Sequence, residues 1–127
     1  MGFWLFILII DLLIPGVMIV LGKLFQNKAP SHINPIYGYR TPMSMKNQDT
    51  WKFAHQYCGK LWFRAGMLEL PFSILTNLAV LGKNIDIIGI VGGILCFAQL
   101  VPMILSICFT EKALKKTFDQ NGQRKKQ

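Results

Sequence analysis

The run IIGIVGGILCFAQLVPMILSICF, Ile87 to Phe109, carries no charged side chain. A helix rises about 1.5 Å per residue and the hydrocarbon core of a bilayer is about 30 Å thick, so about 20 mostly apolar residues suffice to cross it. This run is long enough. Working outward from it, Leu61 to Leu81 is a second such segment, more polar, and Phe3 to Leu21 is a third. In a chain of 127 residues, too little sequence is left over to cover three such segments inside a soluble core. The expected fold is all-α and integral to a membrane: one domain with spans at 3–21, 61–81 and 87–109, a cytoplasmic loop with an amphipathic interfacial helix over 22–60, and a basic cytoplasmic tail over 110–127.

A formal net charge of +8 would suggest nucleic acid in a soluble domain, but here the positions of the charges matter more than their sum. Lys23, Lys28, Arg40, Lys46, Lys52 and Lys60 lie between the first two spans; Lys112, Lys115, Lys116, Arg124, Lys125 and Lys126 lie in the tail. No Lys or Arg precedes the first span, and the link between spans two and three has only Lys83, offset by Asp86. Positive-inside asymmetry places the loop and tail in the cytoplasm and the N-terminus outside, a multi-pass arrangement that three crossings satisfy. The partner implied is the lipid bilayer, not nucleic acid. The first span is expected to be retained, because its basic residues follow the apolar run and no small-residue cleavage pattern closes it. Phe6 stands where myristoylation needs Ser or Thr. Cys58, Cys96 and Cys108 give no disulfide framework and read as reduced packing thiols.

Between the first two spans, Pro30, Pro35, Gly38 and Pro42 punctuate a polar stretch that reads as loop. A helical pattern follows. Ser44 or Asn47 is its candidate N-cap, Asp49 suits the positive end of the helix dipole, and Trp51, Ala54, His55, Cys58 and Trp62 recur on one face. Opposite them stand Gln48, Lys52, Gln56 and Lys60, so the segment is expected to lie in the headgroup region and turn at Gly59 into span two. In the tail, Leu114 and Phe118 are expected to face lipid, with a frayed end beyond Asp119.

Ionisable groups at membrane depth are costly, which makes Asp11, ahead of Pro15, and Glu69, ahead of Pro71, the first functional candidates. Gly66, Glu69, Ser73 and Thr76 share a face of span two, with Asn77 beside them; Gly92, Cys96, Gln99 and Ser106 form a stripe on span three. Facing one another, the stripes make a polar seam in which Asp11 and Glu69 could bind a cation, a proton or a cationic peptide group. The same polar groups, with Gly89 and Gly93, are also ordinary helix-packing devices. His55 and Cys58 stand one turn apart, but two ligands make no metal site. With no ordered nucleophile and base and no phosphate loop, neither an enzyme nor a cofactor is expected.

The most specific local stretch runs Tyr37-Gly-Tyr-Arg-Thr-Pro-Met-Ser-Met-Lys-Asn-Gln-Asp-Thr-Trp-Lys-Phe-Ala-His-Gln-Tyr-Cys-Gly-Lys-Leu-Trp62. Gly38-Tyr39-Arg40-Thr41, then Ser44, Asn47, Trp51, Ala54, His55 and Gly59, then a hydrophobic span, resembles the SdpI family, bacterial membrane proteins named for immunity to a secreted sporulation-delaying peptide. The resemblance covers roughly residues 34–81, and the flanking spans fit a short form matching the C-terminal part of the named protein. It implies immunity or sensing in the bacterial cell membrane: binding of a membrane-active peptide, giving toxin resistance or signal transduction through a cytoplasmic repressor. Arg40 and Thr41 could hold a carboxylate or phosphate, with Tyr39, Asn34 and Trp51 completing a pocket at the mouth of the seam. Arg40 could equally brace the loop against Glu69, Asp49 or lipid phosphate. The alternative is a small transporter or ion-conducting homo-oligomer that uses the intramembrane carboxylates.

Overall fold

The computed structural model describes residues 1–34, 36 and 38–125; Pro35, Tyr37 and the last two residues, all named in the sequence reading as loop or tail, lie outside that set. Three helices make the molecule: α1 (Gly2–Asn27), α2 (Gln48–Ala79) and α3 (Ile85–Thr117). No strand occurs among the described residues; a single bridge joins Phe118 to Arg124. α1 and α3 are each long and apolar enough to cross a membrane. α2 has the polar residues of the seam and of the loop-proximal turns, which lower its mean hydropathy.

Burial follows an inverted pattern. Leu68 is 77% exposed and Phe97 75%, whereas Asp11 and Asn77 are each 1% exposed. Along α1, Phe6, Ile9, Leu13, Val17, Val20 and Leu24 recur every three or four residues and all face outward. A bundle that hides its polar groups and displays its aliphatic ones is arranged for an apolar solvent.

The expected break at Gly59 is absent. One helix runs from Gln48 through Gly59 to Ala79, so the stretch read as an interfacial element is the first part of α2. Gly59 is instead a crossing point: a Cβ there would stand 2.7 Å from the Gly22 carbonyl oxygen, and one on Gly22 2.6 Å from the Phe63 nitrogen. Gly66 repeats the device against Pro15 and Ile19. Missing side chains let the α1 and α2 backbones touch, the ordinary route to tight helix packing in lipid. Of the third-span glycines expected to pack, Gly93 has nothing near it and Gly89 meets only the Phe3 ring at 3.6 Å; Gly92 is the one pressed on Ile7.

α2 starts on a capping box: the Asn47 side chain accepts from the Thr50 amide, and the Thr50 hydroxyl accepts from the Asn47 amide. Its aromatic face meets protein, not headgroups. Trp51 and Ala54 are fully buried, and Leu114 and Phe118, expected to face lipid, join Tyr39, Ala54 and Cys58 in the core at this end. The tail, expected to fray beyond Asp119, is folded back by hydrogen bonds. Asp119 and Lys125 amides donate to the Gln123 and Thr117 carbonyls, the Asn47 amide group donates to the Gly122 carbonyl, and the Arg124 guanidinium grips Asp49 through two 2.9 Å bonds. The folded tail thus clasps the start of α2.

Candidate functional site

The polar seam is built around a proline. Pro15 has no N–H, so the Asp11 carbonyl four residues earlier has no intrahelical donor. The Gln99 side chain supplies one, donating to that carbonyl at 2.7 Å and to the Ser73 hydroxyl at 2.6 Å. Ser73 in turn donates to the Glu69 backbone carbonyl. The Asn77 side chain donates to Asp11 Oδ2 at 3.1 Å, and the Asn77 backbone carbonyl accepts from the Trp4 indole at 2.7 Å. Asp11, Ser73, Asn77 and Gln99 therefore form one buried network that ties the three helices together. Asp11 Oδ1, Gln99 Oε1 and both Glu69 carboxylate oxygens are buried there without a hydrogen-bond partner in the protein. Glu69 and Gln99 line a cavity of about 160 Å³ between α2 and α3 with Ser73.

The seam is shorter than the two stripes suggest. Thr76 turns its hydroxyl back onto the Phe72 carbonyl. Ser106 belongs to a second cluster, accepting from the Trp62 indole at 2.6 Å, with Cys58 Sγ at 3.9 Å.

The second cluster borders the loop that follows α1. His55, wholly buried, holds that loop. Its Nε2 accepts from the Tyr39 amide at 2.8 Å, which leaves the ring hydrogen on Nδ1, where it donates to the Trp51 carbonyl at 2.7 Å. Burial pushes the pKa of His55 below its ordinary value, in keeping with a neutral ring. Gly38 has φ +108°, and a Cβ on it would lie 2.5 Å from His55 Nε2, so both conformation and space require glycine. The Tyr39 hydroxyl donates to Glu111 at 2.8 Å; burial first and that carboxylate second raise its pKa far above the phenol range. Thr41 and Ser44 cap each other, each amide donating to the other's hydroxyl, and Ser44 also donates to the Tyr39 carbonyl. Trp51 donates to the Pro30 carbonyl at 2.8 Å, and its ring lies 4.3 Å from that of His55, tilted by 52°.

Under this loop lies a cavity of about 320 Å³. Leu21 and Phe25 of α1, Cys58 and Trp62 of α2 and Ile107 of α3 give it apolar walls; Gly38, Tyr39, Arg40 and Thr41 form its rim. Of the residues singled out in the sequence, Tyr39, Arg40 and Thr41 come together here. Asn34, closing a local turn with His32 and Ile36, and Trp51, under the start of the loop, do not line it. Arg40 does not reach Glu69, whose oxygens have no partner, and Asp49 is held by Arg124. The wall residues went unnoticed as a site in the sequence. The four-residue spacings Leu21–Phe25 and Cys58–Trp62 are visible there, but their facing Ile107 is not. Among the described residues no three His, Cys, Asp or Glu side chains gather to hold a metal.

The model of the SdpI/YfhL protein family matches residues 31–110, a range that takes in the loop, α2 and most of α3. The uncharacterized protein YfhL of Bacillus subtilis strain 168 is 32% identical over 110 residues, covering 86% of this chain and 90% of that one. No solved structure matches the chain.

Proposed function

The chain belongs to the SdpI/YfhL family, and from that premise we propose that it is an immunity or sensor protein that binds a membrane-active peptide and catalyses nothing. The observation that carries this reading is the cavity under the Gly38–Thr41 loop. An apolar chamber rimmed by a guanidinium fits an apolar side chain next to a carboxylate, as at the C-terminus of a hydrophobic peptide. The loop is shaped by Gly38 and Tyr39 on His55 and by Thr41 on Ser44. Arg40 is exposed at the rim.

In this reading α2 is the third crossing, since Leu68, Phe72, Leu75 and Leu78 put an exposed apolar stripe on it like those of its neighbours. The N-terminus is outside, and the basic loop and tail face the cytoplasm, where a repressor could dock on them. Because the cavity touches all three helices and the loop, an occupant would shift the same surface. The test is survival of bacteria challenged with a panel of membrane-active peptides. Cells carrying the protein should outlive cells lacking it for at least one peptide, and Arg40→Gln should remove most of that advantage without lowering the protein's level in the membrane. Equal death across the panel with and without the protein would exclude immunity.

A further inference from the structure

We propose that the cleft between the start of α2 and the folded tail binds a phosphate group, carried by an anionic lipid or free in solution. Lys46 ahead of α2, Lys115 near the end of α3 and Lys125 of the tail line one cavity of about 410 Å³, with Met43 and Phe118 as its apolar part. All three lysines are exposed. They are distant in sequence, and the tail must fold back to bring in the third. The Lys125 amide donates to the Thr117 carbonyl, the Asp119 amide to the Gln123 carbonyl, and the Asn47 side chain to the Gly122 carbonyl.

The charges that meet there do not balance. Asp119 is the one acid in the lining, and its Oδ1 accepts from the Asn121 and Gln123 amides, which commits it to the turn. Other acids at this end of the bundle are also engaged: Asp49 with Arg124 and Glu111 with the Tyr39 hydroxyl. The Lys46 ammonium donates to the Gln120 carbonyl, a neutral partner. Among the described residues no carboxylate forms an ion pair with Lys46, Lys115 or Lys125. The negative end of the α3 dipole is blunted, because the Leu114 and Thr117 carbonyls accept from the Phe118 and Lys125 amides. A concave space walled by like charges gathers the opposite ion. Among the described residues the lining has lysines and no arginine. Ammonium groups hold phosphate as mobile point charges, whereas the planar fork of arginine is the better match to a carboxylate. The volume lies within the range of about 300–1,000 Å³ common to small-ligand sites. Lys115 stands six residues beyond Phe109, about 9 Å along α3 from the end of the uncharged run. In the proposed arrangement that puts the cavity beside the headgroup layer, within reach of a lipid phosphate. The inference does not rest on the peptide reading and survives its failure.

The test is native mass spectrometry of the full chain from phosphatidylcholine micelles, titrated in one series with phosphatidylglycerol and in another with inorganic phosphate. Saturable retention of one phosphatidylglycerol identifies a lipid phosphate, and saturable retention of one inorganic phosphate a free one. The combined variant Lys46→Gln, Lys115→Gln, Lys125→Gln should weaken the binding by about tenfold or more. Lys52→Gln, Lys60→Gln, Lys112→Gln removes the same charge away from the cavity and should leave most of it. Acetylation of wild-type lysines decides the matter if a variant does not fold: the bound anion should protect Lys46, Lys115 and Lys125 and spare Lys52, Lys60 and Lys112 that protection. Wild type that retains neither anion, equal losses in the two variants, or uniform acetylation with and without the anion overturns the proposal.

Discussion

At Gly38 a single hydrogen atom in place of a side chain decides whether the loop can sit on His55. The residue combines φ +108° with a 2.5 Å approach of its absent Cβ to His55 Nε2, so Gly38→Ala meets both backbone strain and a clash. Thermal unfolding of the purified protein in detergent should show a loss of about 2 kcal/mol or more. His55 itself adds a pH dependence. Its folded pKa lies below the ordinary 6.5, so the unfolded chain binds more protons at acid pH. The neutral ring's contribution is complete above about 6.5 and is lost as pH falls from there toward the lower folded value. His55→Gln should flatten that part of the stability profile; a difference curve between wild type and variant that stays level from neutral to acid pH would contradict it. Position by position, the sequence exposed Gly38, Tyr39, Arg40 and His55 as a group. It did not say that Tyr39 presents its amide to His55 and its hydroxyl to Glu111, because those partners are set by how α2 and α3 pack beside the loop.

Among the elements, α1 and α2 are joined by backbone contact at Gly22, Gly59 and Gly66, whereas α3 is held by the Gln99 and Ser106 side chains and by Gly92. A methyl group at position 59 would meet the Gly22 carbonyl and the Gln26 nitrogen, backbone atoms that cannot step aside. Gly59→Ala should therefore cost about 1–3 kcal/mol. Gly93→Ala, with nothing within 4 Å, should be neutral or stabilising by up to about 1 kcal/mol. The comparison of the two unfolding curves tests whether the crossing lies where the structure puts it. The sequence marked Gly59 correctly as special but for the wrong reason: a glycine ahead of an apolar run reads as a turn, and only a partner helix across it turns it into a contact. The continuous α2, about 48 Å long by its 32 residues, exceeds a hydrocarbon core of about 30 Å; in the proposed arrangement its first turns stand clear of the hydrocarbon, with the loop and tail folded around them.

For the whole molecule, the proposed crossings make a prediction about sidedness. In a background without native cysteines, a cysteine at Lys83 in the α2–α3 turn should react with a membrane-impermeant maleimide in intact cells. Cysteines at Lys28 and Gln123 should react only after the membrane is opened. The reverse labelling would invert the orientation. By itself the sequence determined the all-helical class, the apolar segments, the basic flanks and the family, because hydropathy blocks, charge placement and a short motif are local properties of a chain. It also marked Asp11 and Glu69 as carboxylates within apolar segments. Only the tertiary structure decided that Pro15 frees the Asp11 carbonyl for Gln99, that Ser106 leaves the seam for Trp62, that the tail clasps Asp49, and that Arg40 rims a chamber walled by three helices. Each of these depends on which faces meet when the helices cross, and hydrogen bonds and close packing at a crossing are fixed by geometry between elements distant in sequence, which no local pattern records.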